Sequence, residues 1–464
     1  MKRLALAAVA LGTLPLLTAC GHLSPGRAAL TATGYVSHRL CSAVFISGLD
    51  PARAYRETIE PLAGSVGFLL NHRVDLQHGE VRASLAGMAE SRAVHRPPDG
   101  CVNATGTALT GSASATMPHT EAEPLPTSDP RLSTAVERLF EEAPQGPQRN
   151  THAGVVMHRD RSIAERYAPG IGVDTPLAGW SATKSVTNAL LGILVRQGRL
   201  DMNAPAKIAT WADPQDPRHA ITPDQLLRMT SGLDAGQSLD GVGPFNPAAQ
   251  MLFVERDVAA FAASAPLAQA PGTHWNYTDA NSLLLARLIR DAAGGDAAST
   301  RAFVQRELFD KLGMRHTTLE FDAAGTPIGS SHLWASARDW ARFGLLYLND
   351  GLVGRERLLP PGWVAYSARP TPGADYVGYG AGFWTNRGNG SSSGSGYGYG
   401  AGYRIQAGMP ADAFMARGHQ GQYVVIVPSQ QLVIVRLGPA WTPRDDMDAV
   451  ARLTHEVIEA IASH

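Results

Sequence analysis

Ser181-Ala182-Thr183-Lys184 places a hydroxyl and an amine three residues apart where a helix is predicted to start. One helical turn brings such a pair to the same face, within reach of each other. The helix N-terminus stabilises developing negative charge, and a neighbouring amine can take or relay a proton. This is equipment for acyl transfer, in which a hydroxyl attacks a carbonyl and water later releases the acyl group. Alone the spacing is a weak signal, and it gains weight from residues further along the chain. Tyr277 stands in Pro271-Gly272-Thr273-His274-Trp275-Asn276-Tyr277-Thr278-Asp279, just before an apolar helical pattern from Leu283 to Ile289. Met229-Thr230-Ser231-Gly232-Leu233 lies between, and His419-Gln420-Gly421 directly precedes the apolar run Tyr423 to Val427.

Lysine usage singles out one of these residues. Of 40 basic residues only Lys2, Lys184, Lys207 and Lys311 are lysine. A chain that otherwise writes its cations as arginine keeps lysine where a group able to release its proton is wanted. Burial is expected to depress the Lys184 pKa towards that role.

Rival chemistries fare worse. Gly390-Ser391-Ser392-Ser393-Gly394 formally matches a nucleophile elbow, but that motif needs a buried strand before it and a helix after it. A Gly/Ser tract supplies neither. The 15 histidines include no His-Glu-x-x-His, and no cysteine pair has ligand spacing, so neither a metal nor another cofactor is expected. A net charge of −1 offers no basic footprint for nucleic acid.

The ordered motifs resemble the serine β-lactamase and penicillin-binding superfamily. They are closest to its class C-like branch, which includes 6-aminohexanoate-dimer hydrolases and related esterases. Trp334 to Leu348, with Ala337-Arg338-Asp339 and Arg342-Phe343-Gly344, is similar to a helix of that branch, and the resemblance spans about 151–464. It implies Ser181 as nucleophile, Lys184 as the helix amine and Tyr277 as a sharer of general-base work. It further implies His419 and Gly421 as a third motif on a strand lining the site. The backbone N–H groups of Ser181 and Gln422 would form the oxyanion hole. Two departures matter. The family's Tyr-x-Asn is here Tyr277-Thr278-Asp279, so the substrate-contacting amide is missing or supplied by Asn281, with Asp279 read as a local cap. His419 replaces a lysine, leaving less fixed positive charge for a substrate carboxylate. Both weigh against efficient β-lactam hydrolysis and leave amide or ester cleavage of a small molecule open. The alternatives are a D-Ala-D-Ala carboxypeptidase or β-lactamase and, in another class, a non-catalytic peptidoglycan-binding or sensing lipoprotein.

The elements that must position these residues can be read from pattern. At ~100–200 residues per domain, 464 residues hold two or three domains. Lys2-Arg3 and the apolar run Leu4 to Leu17 form a signal peptide over 1–19, too short to cross a bilayer as a helix. Leu17-Thr18-Ala19-Cys20 resembles a bacterial lipoprotein processing box. Lipidated Cys20 would be the sole membrane contact, on the periplasmic side, and Gly21 after it favours the outer membrane. In that oxidising compartment Cys41 and Cys101 are expected to pair. Residues 20–102, with apolar patches Ala43 to Ile46 and Val66 to Leu70, read as an N-terminal accessory region, and the Thr/Ser/Ala/Pro-rich 103–130 as a linker.

The catalytic domain is assigned to 131–464. Gly154 to Met157 and Ile163 to Tyr167 predict a hairpin. Val186, Ala189, Leu190, Ile193, Leu194 and Gln197 predict one face of a helix and its edge. Thr222-Pro223 predicts a capped helix start. Tyr423 to Val427 and Leu432 to Val435 flank a turn, and their continuous apolar character requires helices on both faces of their sheet. Asp445 to Ala462 closes the chain as a helix. The expected fold is α/β (α+β) and β-lactamase-like, an antiparallel sheet flanked by helices with a helical subdomain. Nothing in the pattern specifies an oligomeric state.

Overall fold

A computed structural model describes residues 24–104, 109, 123–125, 127, 129–238, 243–388 and 400–463. The leader 1–19, Cys20, most of the linker 103–130 and the tract Gly390 to Gly394 lie outside the described residues.

The N-terminal region begins with α1 (Pro25–Phe45), capped by Ser24 with Pro25 in its first turn. Ala43 to Ile46, read above as an isolated apolar patch, is the end of this long helix. From Thr33 to Phe45 every residue of α1 is buried, so no polar face marks its period. A four-stranded antiparallel sheet follows, β1 (Leu70–Asp75), β2 (Glu80–Leu85), β3 (Glu90–His95) and β4 (Cys101–Asn103), in that order. The Cys41–Cys101 disulfide, with Cα atoms 6.1 Å apart, joins α1 to β4. Tyr35, Val36, Leu40 and Val44 belong to the same hydrophobic core as Val155, Trp180 and Leu190. The N-terminal region therefore shares a hydrophobic core with the rest of the molecule.

The main sheet draws its strands from both halves of the chain. After α2 (Pro130–Glu137) come β5 (Ala153–His158) and β6 (Arg161–Tyr167). The helical part includes α3 (Thr183–Arg196), α4 (Pro223–Leu227), α5 (Asp279–Ala293) and α6 (Ala337–Leu348). The chain then returns with β7 (Trp384–Thr385), β8 (Phe414–Gly418), β9 (Gln422–Val427) and β10 (Leu432–Leu437), and ends in α7 (Met447–Ala462). The six strands run antiparallel in the order β7-β8-β9-β10-β5-β6, with Val155 opposite Val435.

Side chains alternate across this sheet, so β9 and β10 feed two cores. Val424, Ile426, Val433 and Val435 pack with Trp340 and Phe343 of α6. Val425, Val427, Leu432 and Ile434 pack with Leu132 and Val136 of α2 and with Val450, Leu453 and Val457 of α7. Helices thus cover both faces, as the apolar runs require. Two sequence expectations shift. Every α3 residue from Thr183 to Leu194 is buried, not one face alone. Trp334 lies in a short strand, Leu333–Ala335, ahead of α6. The start of α4 is a full capping box, Gln225 N donating to Thr222 Oγ1 at 3.2 Å and Thr222 N to Gln225 Oε1 at 3.0 Å.

Candidate active site

Ser181 sits in a single tight turn, Trp180–Ala182, that feeds directly into α3. Trp180 holds φ at +48°, a left-handed backbone that a bulky residue adopts only under constraint. The constraint is visible on both sides. Gly179 N donates to Leu333 O at 2.8 Å, and Ala182 N closes the turn on Gly179 O at 3.1 Å. Strand β8 runs so close that a Cβ on Gly418 would collide with the Gly179 carbonyl. Glycine at 418 lets the sheet edge touch the serine turn.

Lys184, one helical turn on, is 2% exposed. Its three N–H groups all have acceptors: Ser181 Oγ at 3.1 Å, Asp279 Oδ1 at 2.5 Å and the Ser330 carbonyl at 3.0 Å. Its ammonium also faces the Tyr277 ring, 4.9 Å from the centroid. Burial pulls the Lys184 pKa down, but the Asp279 carboxylate and the hydrogen-bonding contacts with Asp279 and Tyr277 outweigh it and hold the pKa above the ordinary lysine value. The expected depression is thus reversed. Lys184 is an ammonium that donates to Ser181, not a free amine awaiting its proton.

Tyr277 is buried in an aromatic cluster, its ring centroid 5.4 Å from Tyr379 and 5.5 Å from Trp384. The loop at Ser238 clamps its backbone: Ser238 N donates to Tyr277 O at 2.9 Å and Asp279 N to Ser238 Oγ at 2.7 Å. The cap of α5 is Thr278, whose hydroxyl accepts from Ala280 N, so Asp279 is not the cap. Its carboxylate is the partner of Lys184 instead. Nor does Asn281 offer its amide to a substrate. It is buried, accepting from Ser231 Oγ at 2.7 Å and directing Nδ2 at Met229 Sδ, 3.7 Å away. The amide pins the 229–233 segment to α5.

The third motif lies at the tip of the β8–β9 hairpin rather than along a strand. His419 stands edge-on to Trp180, ring centroids 5.4 Å apart. Burial lowers its pKa below the ordinary histidine value, so at neutral pH it carries no fixed charge. Gly421 has φ +82°, and a Cβ there would sit 2.6 Å from Arg436 Nη1, so the turn needs glycine. Gln422, in register with Gly418, staples the turn with its side chain. Nε2 donates to the carbonyls of Gln420 and Gly438, both at 2.9 Å, while Oε1 accepts from Gly438 N at 3.0 Å.

Sequence reasoning missed three contributors. The Ser330 carbonyl is a backbone group with no sequence signature, held in place where Thr187 Oγ1 of α3 donates to Gly329 O at 2.7 Å. Ser238 is an ordinary loop serine until the fold sets it beside Tyr277. The N-terminal helix brings Tyr35 and Arg39 against Trp180. It also forms a buried cluster, His38, Glu320 and His332, whose ligand-type atoms lie within 4.8 Å of one another. Hydrogen bonds already use that cluster. Glu320 accepts from Ser42 Oγ, Cys101 N and Trp334 Nε1, each at 2.8 Å, and His332 Nδ1 lies 2.7 Å from Ser331 Oγ. The arrangement works as a polar clasp between α1 and the short strand Leu333–Ala335.

Known proteins share this fold and stretches of this sequence. An uncharacterized protein of Mycobacterium tuberculosis is 29% identical over 289 residues, covering 52% of this chain and 68% of that one. The 6-aminohexanoate-dimer hydrolase of Paenarthrobacter ureafaciens is 26% identical over 272 residues, covering 55% of this chain and 65% of its own length. A Bacillus anthracis structure provisionally assigned as a 6-aminohexanoate-dimer hydrolase superposes with a TM-score of 0.55 at 21% identity, over 68% of this chain and 80% of that one. The Beta-lactamase family model matches residues 136–458, from α2 at the head of the sheet domain to α7 at its end, and the chain belongs to that family.

Proposed function

We propose that the protein is a serine hydrolase that cleaves an amide or ester bond of a small molecule through an acyl-enzyme on Ser181. The observation that carries this reading is the three-acceptor setting of Lys184, which aims one N–H at Ser181 Oγ while Asp279 keeps the amine charged. An ammonium cannot accept the serine proton, so that task falls to Tyr277, whose ring the same ammonium faces. Tyr277 enters this step as a phenolate beside the Lys184 ammonium: Ser181 Oγ attacks the carbonyl carbon and passes its proton to the Tyr277 oxygen, which becomes a neutral phenol. The backbone N–H groups of Ser181 and Gln422 receive the oxyanion, and Tyr277 returns the proton to the leaving amine or alcohol. Water then attacks the acyl carbon by the reverse route and frees Ser181.

The neutral His419 and the missing substrate amide favour short esters and linear amides over β-lactams. The name of the Paenarthrobacter ureafaciens relative, a 6-aminohexanoate-dimer hydrolase, supports a linear amide. The lipoprotein-type leader ending at Cys20, with the Cys41–Cys101 disulfide, supports a lipid-anchored enzyme on the periplasmic side.

Labelling with a fluorophosphonate, read by intact mass and peptide mapping, tests the nucleophile. One adduct on Ser181, lost in Ser181→Ala together with ester turnover, is expected. An adduct on Ser392 that persists in Ser181→Ala would overturn the reading.

A further inference from the structure

Arg39 of α1 is 6% exposed. Its guanidinium carbon lies 4.2 Å from the Trp180 ring centroid and 4.9 Å from that of Trp334. Nε is buried with no hydrogen-bond partner, and among the described residues no carboxylate forms an ion pair with Arg39. Its electrostatic neighbours are Tyr35 and Glu320. Burial pushes the Tyr35 hydroxyl up to about 12, so it stays neutral. Burial pushes Glu320 up to about 7, and its oxygens are taken by Ser42, Cys101 N and Trp334. Aromatic faces stabilise a cation, but a desolvated guanidinium still calls for negative charge.

A second anomaly faces the same space. Gln420 holds φ at +60° in the β8–β9 turn, and both Nε2 and Oε1 of its side chain are buried without partners. Arg39 and Gln420, with Ser47, Trp180 and Trp334, line a cavity of about 30 Å³. A water needs about 10–15 Å³, so the space holds one small ion with a water beside it. Ser181, Lys184 and Tyr277 do not line it.

We infer that this cavity behind Trp180 is a binding site for a small inorganic monoanion of halide size, held between the Arg39 guanidinium and the Gln420 amide N–H. The anion neutralises Arg39, gives Gln420 Nε2 an acceptor and ties α1 to the turn that carries the third motif. The accompanying water donates to Gln420 Oε1. The site is separate from the proposed catalysis and needs no turnover to be detected.

The test titrates the full folded chain with sodium chloride or sodium bromide, holding ionic strength constant with sodium gluconate, whose anion is too large for the cavity. A ligand that binds only the native state raises the thermal midpoint in a saturable way. A rise of about 2 °C or more, absent in gluconate, is expected. Arg39→Met should abolish the halide dependence. Gln420→Glu, which places a carboxylate beside Arg39, should abolish it while raising the midpoint in halide-free buffer. Crystals grown in bromide should show an anomalous peak within the Arg39–Gln420 cavity. A midpoint indifferent to halide, an equal response in gluconate, or no bromide peak at a saturating concentration would overturn the site. If either variant fails to fold, the bromide peak in the unaltered protein decides alone.

Discussion

Asp279 Oδ1 lies 2.5 Å from Lys184 Nζ in the protein interior, and in the mechanism proposed above this contact selects the base that serves Ser181. A neutral amide at 279 would leave Lys184 free to titrate under the pull of burial. A carboxylate at 279 keeps it an ammonium.

Asp279→Asn should therefore lower the Lys184 pKa and move the alkaline limb of the pH–rate profile towards neutrality, with kcat falling about 10–100-fold. The pair also contributes to stability. Because the folded pKa of Lys184 lies above its unfolded value of 10.5, that contribution is complete below 10.5 and is lost as pH rises through the folded value. Removing one partner of such a buried pair costs about 3–5 kcal/mol, measurable by urea unfolding at pH 7. A profile that keeps its alkaline limb would show that Asp279 does not govern Lys184.

Lys184→Arg should cut kcat by about 10²–10⁴-fold, since a planar guanidinium cannot reproduce three divergent N–H bonds to Ser181, Asp279 and Ser330. Lys311→Arg should be nearly silent, because Lys311 only pairs with Glu356 at the surface. Equal kcat in the two variants would leave Lys184 a structural cation.

The best short ester should be turned over at least about a hundred times faster than a chromogenic cephalosporin, a gap of about 2.7 kcal/mol in transition-state binding. The physical basis is the neutral, buried His419, which offers a substrate carboxylate no positive charge. Comparable kcat/KM values for the two substrates would refute it.

Cys41→Ala should lower unfolding stability by about 2–5 kcal/mol, because the bridge closes a long loop and fastens α1 to β4. Membrane fractionation should be unchanged in this variant and lost in Cys20→Ala. Free thiols at both Cys41 and Cys101 in a non-reducing peptide map would remove the basis for the first expectation.

Ser181 and Lys184 stand one helical turn apart, a spacing that is weak alone and gains meaning only with the later motifs, and Tyr277 is singled out by resemblance to the family rather than by its own surroundings. The strands around Val425 and Ile434 are legible because burial on both faces leaves unbroken apolar runs. The same logic hides α1. A helix buried all round has no polar stripe, and its threonines and glycine imitate a loop or strand. Asp279 could be seen but not understood, because its partner lies 95 residues away and only the fold brings them together. Asn281 looked available for substrate because the sequence cannot show that Ser231 and Met229 already occupy it. The Ser330 carbonyl, belonging to the backbone, has no letter to be read.

The register of β5 against β10 sets a timetable for the nascent chain. Val155 pairs with Val435, roughly 280 residues downstream, so the main sheet is dominated by contacts of very high sequence separation. A chain made or exported N-terminus first must carry the hairpin Ala153 to Tyr167 with one long apolar edge unpaired until β10 emerges. That interval is its greatest exposure to aggregation and to proteases. Truncation before Leu432 removes β10 and leaves β5 and β9 without their common neighbour. A chain stopped just short of Leu432 is consequently expected to leave the main sheet split in two, although five of its six strands have been made.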